Sequence, residues 1–255
     1  MAKQSFAKKA ADAETPLNSG EFPSSTSPAV VRDQTLSSPV AGGASGQTEG
    51  EVDYSDINVD KLNLVQKSGN LSDNFRPGDF VLGKEVVLSK EGGFELAVLK
   101  IAKRYQEFLP YDPAASVRPQ VFKTAEEVKA AGGHFNYGEE GYYRDMATVL
   151  LLIPAHDGIS PDDKENKFIY EAPNGDAYAL ALWTLISTGY TAAAKKIFTA
   201  GKIGHLKAGY EKARWNLSSE LKKDARNSWY APVLRPASKT DEEFSAFTKE
   251  VLSTL

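Results

Sequence analysis

The chain has 255 residues, 41% of them hydrophobic, a formal net charge of −4 and no cysteine. That length suits one large domain or two small ones with a real core, and the missing cysteine excludes a disulfide framework, a thiolate metal site and a cysteine nucleophile, so a reducing, cytoplasmic setting is expected. The longest apolar runs, such as Ala147 to Ile153, are far too short to cross a bilayer, and Met1 to Ser5 lacks the apolar stretch of a secretory signal, so no membrane role is expected.

The first 52 residues are rich in Ser, Thr, Gly, Pro, Ala and acids, with Pro16, Pro23, Pro28 and Pro39 scattered among them. Such a segment has too few large apolar side chains to offset its ordering entropy, and it reads as a disordered tail. Residues 53–255 read as one domain. From Ile57 to Gln66 the apolar spacing is mixed and fits either a strand or a short helix. Arg76-Pro77-Gly78-Asp79 is a turn signal, followed by two short strands around Gly83, Phe80 to Leu82 and Glu85 to Leu88. Gly92-Gly93 opens a long extended stretch, Phe94 to Leu109, apolar on both faces in its first half. Strand alternation in its second half sets Lys100, Ala102, Arg104 and Gln106 on one face and Ile101, Lys103 and Tyr105 on the other.

Thr124 followed by Glu127 is a capping box for a short helix that stops at Gly132-Gly133. The next loop, His134 to Tyr143, carries four aromatic residues, among them Tyr137, Tyr142 and Tyr143, and reads as a mobile arm able to stack on bases; Glu139 and Glu140 oppose phosphate there. Met146 to Ile153 is a strand. Phe168 to Glu171 and Ala177 to Leu185 flank Pro173-Asn174-Gly175-Asp176, a hairpin turn because Asn-Gly accepts positive φ. Ser187 starts a helix with Tyr190, Ala194, Ile197 and Phe198 on one stripe and Gly201 at its end. Ala213 to Leu221 and Ser228 to Arg235 form two strands joined by a basic tip with Lys222, Lys223 and Arg226, and a helix with Phe244, Phe247, Val251 and Leu252 on one face follows Asp241.

Charge is segregated along this order. Residues 186–240 hold eleven Lys and Arg against three acids, a local net charge of +8 inside an acidic chain. Tyr190, Phe198, Tyr210, Trp215, Trp229 and Tyr230 lie in the same stretch. Cations that track a phosphate backbone and rings that stack on bases are the two requirements of a single-strand binding groove. The competing reading is a solvated basic face over core aromatics.

From Phe94 onward the order is strand, long loop, strand, strand, helix, strand, strand, helix. Five strands with a helix between the third and fourth is the order of the oligonucleotide-binding (OB) fold, a mainly β barrel that binds through its strand 2 and 3 face and the loops joining strands 1 to 2 and 4 to 5. The aromatic loop and the basic tip occupy those two loops. The expected binding residues are therefore Lys103, Arg104, Tyr105, Tyr137, Tyr142, Tyr143, Lys222, Lys223, Arg226 and Trp229.

The segments Leu62 to Gln66, Pro77 to Phe80, Tyr178 to Trp183 and Trp229 to Pro232 resemble bacteriophage proteins of the single-stranded-DNA-binding type. The resemblance implies a protein that coats single strands in replication or recombination, through an OB barrel, in the host cytoplasm and alongside replication proteins. Such proteins often end in an acidic tail that docks partner enzymes, whereas Thr248 to Leu255 reads as helix, so that mode of recruitment is not carried over. A phage structural or interaction protein with a sandwich or barrel fold would share this composition. Catalysis is not expected. His134, His156 and His205 are too far apart in sequence for paired zinc ligands, no cofactor-binding motif is present, and Asp162, Glu165 and Lys167, which could serve a Mg-dependent nuclease, crowd into one loop.

Overall fold

In the computed structural model, residues 59–88, 93–109, 117–155, 168–203 and 209–255 are described. The expected tail, His156, His205 and the loop with Asp162, Glu165 and Lys167 lie outside them. Strands β1 (Leu62–Leu64), β2 (Phe80–Leu82) and β3 (Val86–Val87) form a small antiparallel sheet. The ambiguous Ile57 to Gln66 segment thus yields a strand at its centre.

The main sheet has seven strands: β4 (Phe94–Glu107), β5 (Val121–Phe122), β6 (Tyr143–Pro154), β7 (Ile169–Glu171), β8 (Ala177–Ile186), β9 (Ala213–Lys223) and β10 (Ser228–Lys239). Their order is β10-β9-β4-β6-β8-β7, with β5 beside the end of β4. The helices are α1 (Ala125–Ala130), α2 (Ser187–Gly189), α3 (Lys195–Lys202) and α4 (Glu242–Ser253), with a π-helical turn, Tyr190–Ala194, joining α2 to α3. The protein is mainly β, and among the described residues no helix is long and apolar enough to cross a membrane.

β4 is the organising strand. Its first residues, Phe94 to Ala97, pair with β9, and Ala97 to Glu107 pair with β6. The register shifts between Val98 and Lys100. The extra residue of this bulge, Leu99, lets Phe94, Leu96 and Val98 face the same core as Ile101 on the far side of it. That core also holds Phe80, Val149, Leu151, Trp183 and Trp215. A second core, on the opposite face, packs Ala97, Leu99, Leu150, Leu152 and Tyr178 under Phe244, Phe247 and Val251 of α4. Two cores on one sheet explain why the first half of β4 is apolar on both faces. Arg214 secures α4 by lying 4.2 Å from the Phe244 ring centre while pairing with Glu95 at 3.8 Å.

The sheet does not close into the expected five-stranded barrel. Among the described residues β8 and β10 do not pair: the outer edge of β8 carries β7 and, further along, one contact from the N-terminal segment, and Gln66 of that segment meets β10. The Leu182 amide donates to the Asp60 carbonyl (2.9 Å), beside a parallel bridge from Lys61 to Leu182. On the other edge, Gln66 Nε2 donates to the Tyr230 carbonyl (2.9 Å) and Gln66 Oε1 accepts from the Tyr230 amide (3.0 Å). Gly78, at φ +99°, lies so close to the Tyr230 ring that a Cβ there would be 2.6 Å from Cε1. No larger residue fits that approach.

The capping box of α1 forms as read, with Thr124 Oγ1 accepting from the Glu127 amide and the Glu127 carboxylate from the Thr124 amide. Asn174-Gly175 makes the β7–β8 turn, with Gly175 at φ +84°. The helix from Ser187 runs one residue past Gly201.

If the Gln66 side chain is what ties the open edge of β10 to the N-terminal sheet, Gln66→Ala should lower the unfolding free energy by about 2 kcal/mol, two hydrogen bonds at about 1 kcal/mol each. Denaturant unfolding measures this, and an unchanged midpoint would mean that the edge is satisfied in another way.

Candidate nucleic-acid interface

Alternation along β4 divides three of the expected residues between two surfaces. Lys103 and Tyr105 continue the face that carries Ile101 and pair with Ala147 and Asp145 on β6, while Arg104 lies opposite Met146 on the other face. Lys103 Nζ is 2.9 Å from Asp145 Oδ1 and 4.8 Å from the Tyr105 ring centre. Partial burial pulls the Lys103 pKa down, but hydrogen bonds to Asp145 and Tyr105 outweigh it and hold the ammonium above its usual value. It stays charged. Arg104 donates from Nη1 to the Lys103 carbonyl (3.0 Å).

The aromatic loop is stapled down, not free. The His134 amide donates to the Gly141 carbonyl (3.1 Å), the Tyr143 amide to the His134 carbonyl (2.8 Å) and the Phe108 amide to the Tyr142 carbonyl (2.8 Å). His134 Nδ1 accepts from the Asn136 amide (3.3 Å), so Nε2 carries the proton and donates it to the Glu140 carbonyl (2.7 Å). Both ring nitrogens are thus occupied. Among the described residues no three His, Asp or Glu side chains come together as a metal site.

This loop presents rings to solvent. Tyr137 is 81% exposed and packs edge-on to Tyr142, ring centres 5.5 Å apart, with Phe108 at 6.4 Å from Tyr137 and 5.9 Å from Tyr142. The Arg144 guanidinium lies 5.4 Å from the Phe108 ring centre, held there by bonds to Gln106 Oε1 (2.8 Å) and Ser187 Oγ (3.2 Å). Burial pulls its pKa below the ordinary arginine value. Nearby, Phe135 packs on Tyr105 at 5.2 Å. Lys103, Tyr105, Phe135, Tyr142, Tyr143, Arg144 and Asp145 line one cavity of about 310 Å³.

Tyr143 lines the same cavity but is almost fully covered. It is 5% exposed, stacks on Phe122 at 5.5 Å and donates its hydroxyl to Gln120 Oε1 (3.1 Å). As the first residue of β6 it is held by Phe122 and Gln120 and offers far less ring area than Tyr137 or Tyr142.

The basic segment also divides. Trp215 and Tyr190 are core, at 2% and 6% exposure, and Phe198, Tyr210, Trp229 and Tyr230 are half-buried. Its rings therefore follow the core reading more than the groove reading, and the exposed rings come from the loop before β6. Lys222, Lys223 and Arg226 are exposed on the β9–β10 turn. Lys222 bonds Glu220 (2.5 Å), and the Asp224 carboxylate accepts from the amides of Arg226 (2.8 Å) and Asn227 (2.6 Å). Trp229 lines a separate cleft of about 390 Å³ with Asn63, Leu64, Trp183 and Tyr230.

The two basic regions are far apart along the strands. β9 pairs with β4 only as far as Leu217 opposite Phe94, and the tip continues beyond it, while Lys103 lies nine residues the other way. At about 3.3 Å per residue the separation is roughly 45 Å along the strand path. Phe108, Phe135 and Arg144, absent from the sequence-based site, join the loop surface. Phe135 could have been found from the loop's ring count; Phe108 and Arg144 stand at strand ends with no local signal.

No protein-family model matches the chain, no curated protein matches it in sequence, and no solved structure matches its fold.

The amide bonds from Arg226 and Asn227 hold the Asp224 carboxyl below its usual value. The tip geometry that depends on this carboxylate is therefore present at neutral pH and lost as pH falls through the depressed folded-state pKa. An NMR titration should give Asp224 a midpoint below the ordinary carboxylate value of about 3.9, and a midpoint at or above it would contradict a preorganised tip.

Proposed function

We propose that this chain binds single-stranded DNA on an OB-type scaffold and coats it in phage-type replication or recombination. The strand order supports the scaffold. The five long strands, numbered by sequence, run fifth-fourth-first-second-third, with a bulged first strand shared between the fourth and second and a helix between the third and fourth. This order is consistent with an OB barrel left open between strands 3 and 5. The phage setting rests on the sequence resemblance alone.

The observation that carries the proposal is the ring cluster of exposed Phe108 and Tyr137 with half-buried Tyr142 beside the Arg144 guanidinium, on the loop between the first and second long strands. A ring as exposed as Tyr137 contributes little to a core. Clustered rings beside Arg144 offer bases a π face and phosphates a cation, which suits sequence-tolerant binding of an unpaired strand. In a duplex those base faces are already stacked. Lys222, Lys223 and Arg226 are outlying phosphate contacts that only a longer strand reaches. The proposal includes no catalysis and no cofactor.

Fluorescence anisotropy with oligo(dT) across a salt series tests this. Phe108→Ala/Tyr137→Ala should weaken binding by about 1 to 3 kcal/mol per lost stack with the salt slope unchanged. Lys222→Ala/Lys223→Ala/Arg226→Ala should instead flatten the slope by about 0.7 per lost contact. If both variants, still folded, bind like the wild type, the single-strand reading fails, and the exposed rings belong to a protein interface, as in the structural-protein alternative.

A further inference from the structure

We propose that the cleft between α3 and the end of β4 is a second track for the DNA backbone, so that a bound strand passes from the ring cluster over Lys103 and along Lys195 and Lys202. This rests on the single-strand reading and extends it to a surface outside the loops that the OB scaffold uses. The cleft has a volume of about 440 Å³ and is lined by Lys103, Tyr190, Lys195, Phe198, Thr199 and Lys202, among others. It shares Lys103 with the cavity under Phe135 and Tyr142. The two spaces therefore meet at one cation.

Lys195, Phe198, Thr199 and Lys202 recur at i, i+3, i+4 and i+7, one face of α3. At 1.5 Å per residue the two lysines stand about 10 Å apart along the helix axis. Both are exposed, and among the described residues neither has an ion-pair partner. Lys196, on the same helix, is instead tied to the Leu234 carbonyl (3.2 Å). The acid beside the cleft, Asp145, is committed to Lys103. The cleft wall thus carries unneutralised positive charge next to the partly buried Phe198 ring, a combination that attracts phosphate. The π-helical turn contributes to this arrangement. Its inserted residue rotates α3 by about 100° relative to a continuous α-helix begun at Ser187. That rotation sets the lysine stripe toward β4.

The test uses the full chain and labelled oligo(dT) of about 6 and about 30 nucleotides, lengths that bracket the usual site size of an OB fold. Lys195→Ala/Lys202→Ala should flatten the salt slope for the long oligonucleotide by about 1.4, two contacts at about 0.7 each, and leave the short one unchanged. The control Lys84→Ala/Lys249→Ala, with the same change in net charge, should match the wild type on both. A cleft variant identical to that control on the long strand, while Tyr137→Ala weakens both lengths, overturns the second track and leaves the single-strand reading standing. If Tyr137→Ala also has no effect on either length, the single-strand reading falls and the track with it.

Discussion

The division of β4 between two partners determines where the other elements lie. Its first four residues pair with β9 and Ala97 onward with β6, with the Leu99 bulge near the junction and β5 joining only at Tyr105 and Gln106. A bulge bends and twists its strand, and the core on one face of β4 gathers Phe80 of β2, Trp183 of β8 and Trp215 of β9. The same bulge resets the alternation. It directs Lys103 and Tyr105 along the inner face, toward the helix that caps that end of the core, and leaves Arg104 on the outer one.

The strands at the two ends of this path are met by chain that is remote in sequence. Gln66 engages Tyr230 across 164 residues through both atoms of its amide, and Asp60 accepts from Leu182. Exposed strand edges invite association with other chains. Occupying them with the N-terminal sheet blunts that tendency while leaving the far end of β4 and β6 open. The ring cluster and the α3 cleft both sit at that open end, on loop and helix positions that the rigid strands hold in place.

Local chemistry was legible in the sequence. The Thr124–Glu127 box, the Asn174-Gly175 turn, the helix from Ser187 and the β9–β10 hairpin each depend on residues within one or two turns of one another, and each forms where the sequence indicates. Contacts between distant segments were not. Nothing in the composition near Gln66 points to Tyr230, and so the open barrel could not be foreseen. Burial was only half legible: Tyr143 and Tyr142 are adjacent in an aromatic run, yet entry into β6 turns one ring inward and the other out. The +8 net charge of residues 186–240 misled in a similar way. Contiguity in sequence distributed those cations over a helix face, an ion pair with Glu95 and a distant hairpin tip.

On this reading exposed rings, and not charge alone, hold an unpaired strand. Comparing single-stranded with double-stranded DNA of equal length at low and high salt tests it most directly. Stacking does not depend on counterion release, whereas phosphate contacts lose about 10³- to 10⁵-fold between 50 and 200 mM salt when six to ten are made. A ring-held strand should be preferred over the duplex at both salt concentrations, with measurable single-strand affinity surviving at the higher one. Equal binding of the two forms at low salt, vanishing together at high salt, would contradict it.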